Sequence, residues 1–402
     1  MCMNYNKKTI RDVDVSGKKI LLRADFNVPH DKKTGVIQDD TRIVATLPTI
    51  RYLLDHGAAV IVCSHLGRPH GVWKKELSLA SAGERLSKLL GLTIPLTQDV
   101  LGADTKAKAA ALQPGQVMLI ENLRFRLEEE QNDPAFSQEL AGLADLFVFD
   151  AFGAAHRAHS STAGVADYIP AVAGFLVEKE LEIMGGALIN PKRPLVAILG
   201  GSKVSDKIGV INNLLELADA ILIGGGMAYT FQAARGGKVG QSLLESDKLE
   251  FARQMLSKAE AKGVKFLLPV DNLAAETFAA DALPIEVDST SIPDHLIGMD
   301  IGPKTVASFV QAMQGAGTVI WNGPMGVFEF PAYAGGTKAV AKAVSELPGA
   351  VTIVGGGDSA SAVEQLGFAD AITHISTGGG AALEFLEGLT LPGIACLADQ
   401  EH

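Results

Sequence analysis

The chain has 402 residues, more than one hydrophobic core usually serves, so two domains are expected. Its formal net charge of −11 argues against nucleic acid or an anionic membrane as the main partner, since either would need a basic face. No apolar stretch has membrane-spanning length, and Cys2, Cys63 and Cys396 form no C-x-x-C pair, so a zinc cage or a disulfide framework is not indicated and a cytoplasmic protein is expected.

Apolar runs rich in Val, Ile and Leu, each closed by turn residues, read as strands buried on both faces. The first four are LLRADFNVP (Leu21–Pro29), VIVCSHLGRP (Val60–Pro69), VMLIENLRF (Val117–Phe125) and LFVFDAFGAAHR (Leu146–Arg157). Between them, helix is expected at least from Pro48 to His56, with Pro48 in a first turn and Gly57 just past the end, and around Ser78–Leu90 and Pro134–Ala144. An amphipathic helix from about Phe175 to Leu188 runs into Asn-Pro-Lys-Arg-Pro, a stiff break that marks the domain junction near residue 185. Four more strand runs follow: LVAILGGSK (Leu195–Lys203), AILIGGGMA (Ala220–Ala228), TVIWNGPMG (Thr318–Gly326) and VTIVGGGDS (Val351–Ser359). Strands alternating with helices predict an α/β fold with two Rossmann-like domains, each built on a parallel sheet.

The turns differ by half. In parallel α/β sheets ligands bind beyond the carboxyl ends of the strands. There the first half places Asp25, Asn27, His65, Arg68, Arg124 and Arg157. Arginines clamp phosphate and carboxylate through paired donors, and Asp and Asn hold hydroxyls, so a small phosphorylated hydroxy-acid fits the set. The second half offers glycine turns at Gly200–Gly201, Gly224–Gly226, Gly355–Gly357 and Gly378–Gly380, where backbone N–H groups can approach a nucleotide's phosphates. Lys203 and Lys207, four apart, would share one face of a helix and either reach a phosphate chain or lie in water. Asp358 either caps the helix that follows it or holds Mg²⁺. No Walker A or protein-kinase motif occurs, while GGGDSA (Gly355–Ala360) fits a dinucleotide fingerprint in form and keeps an NAD-dependent dehydrogenase as an alternative. A non-catalytic protein that binds a nucleotide and a phospho-acid is the other.

In order along the chain, LRADFNVP, SHLGRP, ENLRF, DAFGAAHRAHSS, GGSKVSDKI, WNGPMGVFE, GGGDS and STGGGA resemble the phosphoglycerate kinase family. The resemblance implies Mg²⁺-dependent, reversible phosphoryl transfer from 1,3-bisphosphoglycerate to ADP, giving 3-phosphoglycerate and ATP, in a monomer that acts on small molecules. It implies an acid-binding domain over residues 1–174 joined by the tail 390–402, an interdomain helix over 175–188, a nucleotide-binding domain over 189–389, and a cleft between them. Carried over by motif, the acid is bound by Asp25, Asn27, Arg42, His65, Arg68, Arg124 and Arg157; only Arg42, in DDTRI, is absent from the strand-end set. On the nucleotide side, Gly224, Gly225 and Gly226 flank adenine, Asn322 and Glu329 the nucleoside, and Gly356, Gly357 and Ser359 the phosphates, with Asp358 on the metal. Arg42, Lys203 and Lys207 are the catalytic candidates, and the Gly378, Gly379 and Gly380 turn a phosphate or transition-state contact. Ser359 stands where the family commonly has Thr, and Ala382 where it has Ser.

Overall fold

The structure, a computed structural model, describes residues 5–31 and 33–400, so Cys2 lies outside the described residues. The chain divides into two compact units, residues 1–182 with 390–402, and residues 183–389.

In the first unit, β1 (Lys19–Ala24), β2 (Ala59–Cys63), β3 (Val117–Leu119), β4 (Leu146–Asp150) and β5 (Ala171–Ala173) form a parallel sheet in the order β3-β2-β1-β4-β5. Alternate residues Ile20, Leu22, Val60, Val62 and Val148 face a core shared with Ile43, Leu47, Ile50 and Leu53 of the helix Thr41–Asp55. That helix starts seven residues before Pro48, which sits in its interior rather than in a first turn. An interior proline costs about 3 kcal/mol. Burying Ile43 and Leu47 ahead of it gains about 1.5–3 kcal/mol each, enough to carry the helix through. Asp39 accepts the Thr41 N–H (2.9 Å), so Arg42 falls in the first turn.

A C-terminal segment completes this unit. Gly393 N–H donates to Ala155 O (2.8 Å), Ala398 N–H to Ala171 O (2.9 Å), and Leu391, Ile394 and Leu397 are buried. The link toward the second unit runs as helix Phe175–Glu180, a π-turn over Leu181–Gly185 and a last helical turn Gly186–Ile189. A helix from about Phe175 to Leu188 is expected from the sequence; the stretch is helical throughout, with the widened π segment at the boundary between the units.

The second unit contains β6 (Leu195–Leu199), β7 (Ala220–Ile223), β8 (Lys238–Val239), β9 (Lys265–Leu267), β10 (Asp271–Ala275), β11 (Ile285–Asp288), β12 (Ser291–Ile292), β13 (Ile297–Ile301), β14 (Thr318–Asn322), β15 (Val351–Gly355) and β16 (His374–Ile375). Six form a parallel sheet, β16-β15-β14-β6-β7-β9, packed through Val196, Ile198, Trp321 and Val354 against Phe309, Met313, Val340 and Val363. Three more, β11-β10-β13, make an antiparallel sheet that the reading of parallel βαβ units did not anticipate. Among the described residues, no helix is long and apolar enough to cross a membrane.

In each parallel sheet the strand order reverses once, between β1 and β4 and between β6 and β14. Adjacent connections diverge to opposite faces there, leaving a crevice outside the carboxyl ends of the strands.

Candidate active site

At the first reversal the turns after β1, β2 and β3 are bolted together by side chains. Asp25 is nearly buried; its Oδ2 accepts from Arg42 Nη1 (2.8 Å) and its Oδ1 from Asn27 N–H (3.1 Å). Asn27 Oδ1 accepts from Gly67 N–H (2.9 Å), while Arg124 Nη1 donates to Gly67 O (2.9 Å), so the peptide groups on both sides of Gly67 are held. Gly67 has φ +63°, and a Cβ there would stand 2.8 Å from Leu77, which explains the glycine in SHLGRP. Asn122, before Arg124, fastens the same turn by accepting from Leu66 N–H (3.2 Å) and donating to Leu66 O (2.8 Å).

The charges of this cluster act on one another. Burial pushes Arg124 down to about 10, with the Arg157 charge adding to the shift. Arg157, half-buried, is lowered by burial and then by Arg68, against a pull from Asp25. His65 is buried and its pKa is driven well below the usual histidine value, by burial first and then by Arg23, Arg124, Arg157 and Arg42. All seven residues named for the acid in the sequence thus belong to one cluster, in which Arg68 is exposed, Arg42 and Arg157 are half-buried and Arg124 is buried. Like-charge crowding of this kind is relieved by a bound anion.

At the second reversal, register pairs Asn322 with Leu199 on one side and Gly355 on the other, which sets three turns side by side. They enclose a cavity of about 200 Å³ lined by Gly200, Gly201, Ser202, Lys203, Asp206, Lys207, Asn322, Gly323, Pro324 and Gly356 to Ser359. Gly200 N–H donates to Asn322 O (2.9 Å) and Gly201 N–H to Pro324 O (3.0 Å). The turns approach so closely that a Cβ on Gly200 would strike the Pro324 and Gly323 carbonyls. Lys203 and Lys207 do share this cavity, but no helix spans them: Lys203 is an exposed loop residue and Lys207 closes the 3₁₀ turn Ser205–Lys207. Lys207 Nζ donates to Asn322 Oδ1, and burial lowers its pKa against the pull of Asp206, Asp358 and Glu387. The other end of the Asn322 amide, Nδ2, is buried with no hydrogen-bond partner among the described residues.

Asp358 is not the helix cap. The cap position of Gly357–Gln365 belongs to Gly356 at φ +91°, and Asp358 stands exposed in the first turn, on the cavity wall. Ser359 is fully buried, and its Oγ accepts from Gly323 N–H (2.6 Å), so its hydroxyl braces the neighbouring turn. Gly224, Gly225 and Gly226 lie behind the wall, where Gly225 N–H donates to Met325 O (2.9 Å) and a Cβ on Gly224 would reach 2.5 Å from Met325 Sδ. Glu329, exposed, and Gly378, Gly379 and Gly380, which open the helix Gly380–Leu386, are not part of this wall.

Comparison with known proteins fits this geometry. The family profile described as phosphoglycerate kinase matches residues 10–389. The chain is 57% identical over 401 residues to the phosphoglycerate kinase of Clostridium novyi (strain NT), covering 99% of this chain and 100% of that protein. It is 55% identical over 395 residues to that of Clostridioides difficile (strain 630), covering 98% of each. The chain belongs to the phosphoglycerate kinase family. Solved phosphoglycerate kinase structures agree: that from Coxiella burnetii has TM-score 0.91 at 43% identity, and that from Pyrococcus horikoshii OT3 has 0.79 at 33%, each covering 97% of this chain and 98% of the other.

Within this phosphoglycerate kinase fold, three residues of the first site carry no role in the strand-end reading: Arg23, Glu129 and Ser161, all buried. Arg23 Nε donates to Ser161 Oγ (2.9 Å), and Ser161 Oγ donates to Glu129 Oε1 (2.5 Å). The signal for Arg23 was its place: a charged residue inside an apolar strand run must find partners within the core.

Proposed function

We propose that the chain transfers a phosphoryl group reversibly between 1,3-bisphosphoglycerate and ADP, giving 3-phosphoglycerate and ATP, as a cytoplasmic monomer. The observation that carries this is the pairing of an arginine cluster at one strand reversal with a glycine- and lysine-lined cavity at the other, in a chain of this family. The unit of residues 1–182 and 390–402 takes the acid, through Asp25, Asn27, Arg42, His65, Arg68, Arg124 and Arg157. The unit of residues 183–389 takes the nucleotide, through Lys203, Lys207, Asn322, Gly356, Gly357 and Ser359, with Gly224 to Gly226, Glu329 and Gly378 to Gly380 around it.

Asp358 suits Mg²⁺. Its carboxylate is exposed on the cavity wall without a capping bond, beside two lysines that would face phosphate. Mg²⁺ takes one or two carboxylates and fills its shell with water and phosphate oxygens, so a larger acidic cage is not needed. Bound there, the ion would neutralise charge on the nucleotide's phosphates.

Phosphoryl transfer asks for in-line placement and for donors to the equatorial oxygens of the moving group. Arg42 and Lys203 supply those donors. The carboxylate of the acid is itself the attacking or leaving oxygen and is ionised at neutral pH, so no side chain need act as a general base. Because the two anion sites lie on separate units, transfer requires that the units bring them together and exclude water.

The dehydrogenase alternative falls away. The strand after GGGDSA, β16, ends in Ile375 and is followed by Ser376, without the acid that would hold a ribose hydroxyl. The deciding assay supplies purified protein with ATP, Mg²⁺ and 3-phosphoglycerate and traps the acyl phosphate as its hydroxamate. Product that depends on all three additions is expected, and none with folded protein would overturn the assignment.

A further inference from the structure

Arg23 is the most buried basic side chain among the described residues, with 1% of its surface exposed. Its guanidinium donates in three directions: Nε to Ser161 Oγ (2.9 Å), Nη1 to Ala24 O, and Nη2 to His65 Nδ1 (3.0 Å). Glu129, fully buried behind it, accepts from Ser161 N–H (3.0 Å) and Oγ (2.5 Å). A strut therefore runs from Glu129 through Ser161 and Arg23 to the ring of His65.

The direction of each proton in this strut is fixed by chemistry. A guanidinium has donors and no acceptor. The ring nitrogen that meets Arg23 must accept, so Nδ1 carries the lone pair and the imidazole proton sits on Nε2. Protonation of Nδ1 would set two donors face to face beside the charges of Arg124, Arg157 and Arg42, and burial and those charges likewise oppose it, since both push the ring toward its neutral form.

We propose that Arg23 is a positioning residue of the acid-substrate site: it locks His65 as the neutral Nε2–H tautomer, so that the histidine meets an anionic oxygen as a hydrogen-bond donor rather than as a charge. The inference rests on the functional reading above for its substrate. With the opposite tautomer, a ring lone pair would face the anion, and binding would lose a hydrogen bond to a charged group. Guanidiniums of the cluster provide the attraction; His65 adds direction to it.

The test begins with unmodified, full-length protein labelled with ¹⁵N-histidine, its His65 signals assigned against His65→Gln. Two-bond ¹⁵N–¹H correlations should show a protonated Nε2 and a bare Nδ1, unchanged across about pH 5 to 8, where an ordinary histidine titrates. A protonated Nδ1, or a midpoint inside that range, overturns the proposal. In the second arm, Arg23→Gln should raise KM for 3-phosphoglycerate about tenfold or more, the scale of one hydrogen bond to a charged group, with KM for ATP unchanged and the His65 nitrogen shifts moved. An unchanged KM for 3-phosphoglycerate also overturns it. Should Arg23→Gln fail to fold, the unmodified protein decides. A protein with the expected tautomer but no phosphotransfer would sink the functional reading and leave the tautomer lock standing, so the two failures are distinguishable.

Discussion

Arg42 pairs with Asp25 at 2.8 Å and keeps 36% of its side chain exposed. A pair open to water on the arginine side contributes on the order of 1 kcal/mol to stability. Its proposed duty to the transferred group is far larger. Arg42→Met is expected to lower kcat by about 10³-fold, the scale of removing an arginine finger, while urea unfolding and ATP affinity stay near those of the parent protein. Near-normal turnover in steady-state assays would take Arg42 out of that role. Arg42 and Arg23 also mark where strand-end reasoning stops. Asp25, His65, Arg124 and Arg157 were legible because each follows an apolar run that becomes β1, β2, β3 or β4. Arg42 reaches the cluster from a helix, and Arg23 from inside a strand, so neither position follows from where a strand ends.

Among the turns, glycines alike in sequence do different physical jobs. Gly200 lies against backbone carbonyls of Gly323 and Pro324 that cannot swing aside, whereas a Cβ on Gly357 would meet nothing within 4 Å. Gly200→Ala is expected to cost about 1–3 kcal/mol or more through overpacking, seen as a lowered denaturation midpoint. Gly357→Ala should leave that midpoint within about 0.5 kcal/mol and raise KM for ATP, since its backbone is proposed to meet phosphate. Equal stability losses in the two variants would contradict this account. The sequence marks both positions as phosphate-binding glycines, because a one-dimensional motif does not say which neighbour a missing side chain makes room for. The antiparallel sheet β11-β10-β13 was illegible for a related reason. Its edge strand Ile285–Asp288 is mostly exposed, so it lacks the continuous apolar run that identifies a strand buried on both faces.

Across the molecule, the fold class was readable from apolar runs and their order, since each doubly wound sheet needs nothing more than strands alternating with helices. The join between the units carries a feature that was not. Asp150, at the end of β4, accepts the N–H groups of Leu176 (2.8 Å) and Val177 (3.3 Å) on Oδ1, so it anchors the start of the helix that leads out of the first unit. Its Oδ2 is buried without a hydrogen-bond partner among the described residues. Burial raises its pKa from 3.8 to about 7. Between those values the folded chain holds a proton that the unfolded chain has released. The Asp150 contribution to stability is therefore full below about pH 4 and is lost as pH rises to about 7, by at most roughly 4 kcal/mol. Comparing urea midpoints of Asp150→Asn and the parent from pH 4 to 8 should show the variant gaining on the parent as pH rises. A constant difference would dismiss the effect. Asp300 in the second unit, also raised to about 7 by burial, is present in both proteins and cancels in the comparison.

The segment from Thr390 onward, which donates Gly393 N–H to Ala155 O, lies beneath the turn that carries His156 and Arg157. A ribosome makes it only after the whole of the second unit. At 5–20 residues per second that is a delay of roughly 10–40 s. A nascent chain therefore holds every residue of its glycine-lined cavity while its arginine cluster still lacks the last layer of support. On the proposed assignment of the two sites, the lining of the nucleotide cavity is synthesised before the layer that supports Arg157.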